Sequence, residues 1–265
     1  MSLEYDESID RGLAHVVGHA ESYEARMQEI LRFIDTKTGN PEGCVYSLNS
    51  HAEARCMSAW FGDRDLTKFK HWAYLAAKLY SIIKIMHGNA GGSFSVPSST
   101  LLYPLISDNE AILNSYVSYD AGYCANDIEN TRTGTFHDYQ AVLALRGEWK
   151  RLAERCERIL ADPPKRRNKF IVDFHFYLAL AQGNRVGMET ALQELTSPKM
   201  ARKRNHDGDM GYTEYFIGTD AVVFAKIAWR SGYELQIDTP FIPKEWLPVE
   251  PLTTYEDPYR FMSQY

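Results

Sequence analysis

Two His-Asp dipeptides are the residues of this sequence whose types and spacing best suit catalysis. They are His137-Asp138 and His206-Asp207. Adjacent histidine and aspartate on a helix bind metal ions in helical phosphohydrolases, where the metal activates a water molecule. Such a site also needs another histidine and a distant aspartate, which His87 and either Asp173 or Asp220 would supply. Eight histidines make chance dipeptides common, so surface or capping residues are the competing interpretation.

Other catalytic patterns fail on inspection. Asp173 and His175 are two residues apart in an apolar segment, a spacing that points them to different faces of a helix. We expect one of them to be a polar residue of the core. The Gly91-Gly92-Ser93 segment lacks the lysine and hydroxyl of a phosphate-binding loop, and neither GxSxG nor a GxGxxG after a strand occurs. The sequence therefore predicts no catalytic residue, no metal ligand and no cofactor-binding residue.

Two basic clusters could bind phosphate groups if the fold placed them on one surface. The first comprises Lys165-Arg166-Arg167 and Lys169, and the second comprises Lys199 and Arg202-Lys203-Arg204. Solvated loops and helix C-termini explain them equally well in a chain of net charge −6.

Helices are needed to position any of these groups, and apolar residues recur at helical spacing along the chain. Steps of three and four from Ile9 to Ile34 predict one long helix, and residues 35–43 predict a loop. A helix from Asn49 or Ser50 to Trp60 follows, and then another that carries Phe69 to Met86. Ser107 with Glu110 resembles a capping box that opens a helix reaching Tyr119.

The second half predicts paired helical hairpins and a packed tail. Gly147 and Gly183 mark turns of a weak internal repeat typical of irregular tetratricopeptide-like stacking, although any two amphipathic hairpins look similar. An apolar helix from Glu214 to Ser231 should end at Gly232 and lie in the core. Five prolines between residues 237 and 258 favour an extended tail. The fold prediction is all-α, with stacked antiparallel helical hairpins and a Pro-rich C-terminal tail.

Composition bounds the class of protein. The 265 residues suit a single helical domain, 1–265, with possible sub-blocks 1–105 and 106–265. Four cysteines without CxxC spacing predict free thiols, and neither a signal peptide nor a membrane span is apparent. We therefore expect a cytoplasmic protein with no membrane contact. The acidic balance argues against direct nucleic-acid binding and favours a basic partner.

The C-terminal block combines a helix of small and apolar residues, a glycine and a proline-rich tail. Its residues are Tyr215-Phe216, Asp220-Ala221-Val222, Phe224 to Trp229, Gly232-Tyr233 and the tail from Ile237 to Pro248, continued by Pro251-Leu252, Tyr255 and Pro258-Tyr259. This block resembles the immunity protein 49 family. Members of that family are helical bacterial proteins encoded beside polymorphic toxins, including effectors of interbacterial secretion such as the type VI system.

The resemblance implies a non-enzymatic protein that binds and neutralises a cognate toxin stoichiometrically. A helical-repeat scaffold or adaptor is the first alternative and a metal-dependent phosphohydrolase is the second. If a contact surface is chosen from sequence, it is the acidic loop of Asp207 and Asp209 with Glu214, since that loop adjoins the family-like block. A simple turn at Gly208 is the competing interpretation.

Overall fold

The computed structural model describes residues 3–89, 97–118, 123–208 and 210–265, and every regular element in these ranges is a helix. This confirms the all-α prediction. None of the described helices is long and apolar enough to cross a membrane. The helices are α1 (Leu3–Glu24), α2 (Met27–Thr36), α3 (Pro41–Phe61), α4 (Leu66–Asn89), α5 (Leu102–Ser107), α6 (Glu110–Val117), α7 (Ala125–Glu129), α8 (Gly134–Leu145), α9 (Trp149–Ala161), α10 (Ile171–Ala181), α11 (Arg185–Leu195), α12 (Pro198–Gly208) and α13 (Thr219–Arg230).

The predicted first helix is wrong in one respect, because it is two helices. α1 ends at Glu24 and α2 begins at Met27. Val16 and Ala20 of α1 join the large core that extends to the C-terminal tail, whereas Ile30 and Ile34 of α2 join a second core with α3 and α4. A straight helix would carry both sets on one stripe, so the break lets each half pack into its own core.

Helix starts were the least accurate part of the sequence prediction. α3 begins at Pro41, earlier than expected, because the Asn40 side chain accepts a hydrogen bond from the Gly43 amide at 2.9 Å and proline suits the first helical position. The predicted capping box at Ser107 is also wrong. Asn109 caps α6 by accepting from the Ile112 amide at 2.9 Å, while Ser107 ends α5. α6 ends at Val117, and Tyr119 lies outside the described residues.

The C-terminal half forms the expected hairpins. Gly147 and Gly183 adopt φ angles of 69° and 67° between consecutive helices, a left-handed conformation that glycine adopts without steric cost. α10 packs between α9 and α11. These turns agree with the sequence, while the repeat-like stacking and the single-domain organisation stay predictions.

The predicted central helix and packed tail are both present. α13 begins at Thr219, later than the expected Glu214, and ten of its residues are buried. It ends before Gly232, whose φ of 87° confirms the predicted stop. In the tail, the Trp246 ring is fully buried and stacks on Phe69 with centroids 4.2 Å apart. The tail is therefore part of the core, as its aromatic residues indicated.

Candidate partner-binding site

Four helices of the C-terminal half meet at a buried group of charged side chains, here called the central ion cluster: His137, Asp173, Arg204 and Asp220. His137 Nε2 lies 2.6 Å from Asp173 Oδ2. Arg204 Nη2 lies 2.8 Å from the same oxygen and 2.7 Å from Asp220 Oδ2. Asp173 is fully buried, and the other three side chains are at most 11% exposed. The cluster therefore connects α8, α10, α12 and α13 by charge-assisted hydrogen bonds.

The protonation states inside the cluster follow from its geometry. Burial alone would lower the pKa of His137, but hydrogen bonds to Asp138 and Asp173 outweigh it and raise that pKa to about 9. Burial would raise the pKa of Asp173, but Arg204 and His137 hold it below its ordinary value. At neutral pH, His137 is thus a cation between carboxylates.

This arrangement does not suit the metal chemistry of the alternative phosphohydrolase hypothesis. A histidine protonated on both ring nitrogens has no lone pair for a metal ion, and the Arg204 guanidinium lies between Asp173 and Asp220. His87 lies elsewhere, 3.2 Å from Glu42. Across the described residues, no group of three or more histidine, cysteine and acidic side chains could hold a metal ion. The structure unites His137, Asp173 and Asp220, but around an arginine.

The two predicted basic clusters meet on one surface, at Asp207. Lys169 and Lys203 each place their ammonium 3.2 Å from Asp207 Oδ2. Their hydrogen bonds lower the pKa of the Asp207 carboxyl. Asp207, the first of the three predicted contact residues, is therefore a carboxylate already shared by two lysines, and Asp209 lies outside the described residues.

Glu214, the third predicted contact residue, borders a group of rings that sequence reasoning missed. We call His15, His19, Tyr212 and Tyr215 the aromatic face. The rings of His15 and His19 are 4.3 Å apart, and His19 Nδ1 lies 3.0 Å from Tyr212 Oη. The signal was present in the sequence, since His15 and His19 are four residues apart and thus on one side of α1.

The surface beside the aromatic face is a shallow depression of mixed charge. Its volume is about 400 Å³, and Tyr215 lies in its wall. Glu214 and His206 line it, with His206 Nδ1 3.9 Å from Glu214 Oε1. Both histidines of the aromatic face are exposed, and both tyrosines are half-buried. Exposed rings beside charged groups are typical of surfaces that bind proteins.

A second buried charge group holds the tail. The Lys226 ammonium is fully buried, 2.7 Å from Asp108 Oδ1, and donates hydrogen bonds to the carbonyls of Trp246 at 2.7 Å and Pro248 at 2.8 Å. Lys70 lies 2.9 Å from Asp108 Oδ2 and donates to the Glu250 carbonyl at 2.6 Å. Prolines prevent the tail from forming a long helix, so its carbonyls need other hydrogen-bond donors. The two lysines supply donors to the carbonyls of Trp246, Pro248 and Glu250.

Comparison with known proteins gives one family. Residues 134–246 match the model of the family described as immunity protein 49. No curated protein and no solved structure matches the chain. The match confirms the resemblance from Tyr215 to Trp246 and also covers the chain upstream to the start of α8, while the tail after Trp246 lies outside the matched residues. It therefore contains all four residues of the central ion cluster.

Proposed function

From the family match over residues 134–246, we propose that this protein is an immunity protein that binds a cognate bacterial toxin in the cytoplasm and neutralises it stoichiometrically, without catalysis. The match is the observation that carries the proposal. The central ion cluster supports it, because its four charged side chains are buried and pair with one another inside the protein.

We further propose that the toxin contacts the aromatic face together with Glu214. Tyrosine rings contribute large contact areas and lose little conformational entropy on binding, which is why they are common among residues that dominate binding energies. The tyrosines here are already held by neighbours, Tyr212 by His19 and Tyr215 by the packing of α1 beside it. We favour the aromatic face over the acidic loop of Asp207 and Asp209 as the toxin contact. A cation of the toxin would have to compete with Lys169 and Lys203 for the Asp207 carboxylate.

The charge of the protein gives the partner its expected chemistry. With a net charge of −6, this chain attracts a basic protein at long range, and toxins that act on nucleic acids are basic around their sites. We expect association to slow as salt is added, since the Debye length falls from about 10 Å at 0.1 M to about 3 Å at 1 M ionic strength.

A rescue experiment tests this proposal. The toxin encoded beside this gene is expressed in bacteria with the wild-type chain or with a variant, and survival is counted. We expect the wild type to rescue growth and the double variant His15→Ala, His19→Ala to lose rescue at low expression.

The control is Val186→Ala on α11, which removes an apolar side chain that is 72% exposed and lies outside the aromatic face. It should rescue like the wild type. If the wild type fails to rescue, the proposed function is wrong. If the histidine variant rescues as well as the control at every expression level, only the proposed surface is wrong.

A further inference from the structure

A small cavity between α3, α4, α5 and α6 contains a carboxyl group that has no cationic partner among the described residues. Its volume is about 180 Å³. Of the described residues that line it, Glu53 alone is charged, and the others are apolar or carry hydroxyl groups. Neither the central ion cluster nor the tail lysines reach this place. The proposed toxin contact makes no use of it.

The environment of Glu53 is unusual for a carboxylate. Burial raises the pKa of Glu53 to about 7, and the opposing influence is a hydrogen bond with the Asn49 amide rather than a cation. Glu53 is half-buried, and a charge that is partly removed from water without a cationic partner is costly. Such a group at a cavity marks a candidate binding site.

Three tyrosine rings complete the wall. Tyr80, Tyr103 and Tyr116 line the cavity with Glu53, and the hydroxyls of Thr213 and Thr219 lie in the same lining. The π-face of an aromatic ring attracts cations, most strongly where water is excluded. The Tyr116 ring shows this property already, because the Lys84 ammonium lies 3.9 Å from its centroid. Lys84 does not line the cavity.

We propose that this cavity binds a small organic cation, a quaternary or primary ammonium group held by the Glu53 carboxylate and the three tyrosine rings. The size agrees, since a water molecule occupies roughly 30 Å³ and the cavity of about 180 Å³ therefore has room for a group of about six non-hydrogen atoms. The exposed Gly211 and the half-buried Thr100 in its lining provide a route from solvent.

The cavity is tested with choline chloride as the probe, by titration calorimetry on the full chain. Choline carries a permanent charge, so any pH dependence belongs to the protein. Its uncharged isostere, 3,3-dimethyl-1-butanol, has the same shape and serves as the matched ligand. We expect choline to bind at pH 8 and the isostere to bind at least tenfold more weakly.

Two variants assign the binding to Glu53. Glu53→Gln should weaken choline binding by tenfold or more, whereas Glu245→Gln, at an exposed position of the tail, should leave it unchanged. Glutamine has the shape of the protonated carboxyl, and circular dichroism of Glu53→Gln checks that the fold is kept. Equal binding of choline and its isostere, equal binding by the two variants, or no binding at all would each overturn the proposal.

A pH series gives an independent readout. From pH 8 to pH 6, a carboxyl of pKa about 7 loses most of its charge, so wild-type affinity for choline should fall about tenfold. The thiol and phenol groups that interact electrostatically with Glu53 stay neutral between pH 6 and pH 8, because burial raises their pKa values. These groups are Cys56 on α3, Tyr80 on α4, Tyr103 on α5, Tyr116 on α6 and Tyr212. Burial lowers the pKa of Lys84 on α4 to about 8, so it also titrates in this range. The comparison is therefore made with Glu53→Gln, in which the tenfold change should disappear, and its persistence there would contradict the assignment to Glu53.

Discussion

We expect the removal of the Arg204 side chain to lower the stability of the fold strongly, because Arg204 is the cation that joins both aspartates of the central ion cluster. Its guanidinium forms ion pairs with two carboxylates, Asp173 and Asp220, and also donates a hydrogen bond to the Lys169 carbonyl at 3.2 Å. The Arg204→Ala variant leaves Asp173 fully buried with only His137 as a cation, and leaves Asp220 with none in the cluster. Removing one partner of a buried ion pair costs about 3–5 kcal/mol, because the remaining charge stays in a poorly solvating interior.

The assay is urea unfolding followed by circular dichroism, with thermal melting alongside. For a chain of this size, about 3–5 kcal/mol corresponds to a fall in Tm of roughly 6–20 °C. Lys203→Ala is the matched control, since Lys203 is the neighbouring residue, its side chain is 59% exposed, and its ion pair with Asp207 should contribute at most about 1 kcal/mol.

A second substitution separates the lost charge balance from lost packing. Asp220→Asn in the Arg204→Ala background removes one stranded carboxylate, so it should recover part of the lost stability. If Arg204→Ala unfolds at the same urea concentration as Lys203→Ala, the central ion cluster does not stabilise the fold and the reasoning is refuted.

Three further predictions concern stability. The pKa of His137 in the folded protein, about 9, exceeds its unfolded value, so the stabilisation by its charge is complete below about pH 6.5 and is lost as pH rises through about 9. Over that range the difference in unfolding free energy between wild type and His137→Gln should shrink by about 3 kcal/mol, because the other titrating groups cancel in the difference. A constant difference would contradict a charged His137. Lys226→Met should release the tail, seen as faster amide exchange at Trp246, Leu247 and Val249, whereas unchanged exchange would show that the contacts of Lys70 are sufficient to hold the tail. Asn109→Ala should cost about 1 kcal/mol in urea unfolding and Ser115→Ala, on the exposed side of the same helix, much less; equal losses would contradict the assignment of the cap.

The helical class was readable from the sequence because amphipathic spacing is local, and the position of α4 and the end of α13 follow from it. The break between α1 and α2 was not readable, since it depends on two cores that only the folded chain defines. The choice of Asn109 over Ser107 as a cap was missed for a similar reason. Both residues have capping side chains, and the end of α5 decides between them.

The charged residues show the same limit. Sequence inspection selected His137, Asp173 and Asp220 as possible partners, and the structure does bring them together. The sequence did not indicate the role of Arg204, which it placed in a basic surface cluster. In the structure Arg204 lies between the two aspartates and forms ion pairs with them, so they are not metal ligands. Glu53 has no local signal in the sequence, because its partial burial depends on tyrosines from three other helices. Long-range contacts of this kind have no local pattern.

Stoichiometric neutralisation is tested by titrating the purified chain into the proposed toxin, taken from a neighbouring gene, and following binding by calorimetry together with toxin activity. We expect saturable 1:1 binding, with toxin activity falling in proportion to added protein and vanishing at equimolar amounts. Full toxin activity in the presence of excess chain, or inactivation of many toxin molecules by one chain, would contradict stoichiometric neutralisation.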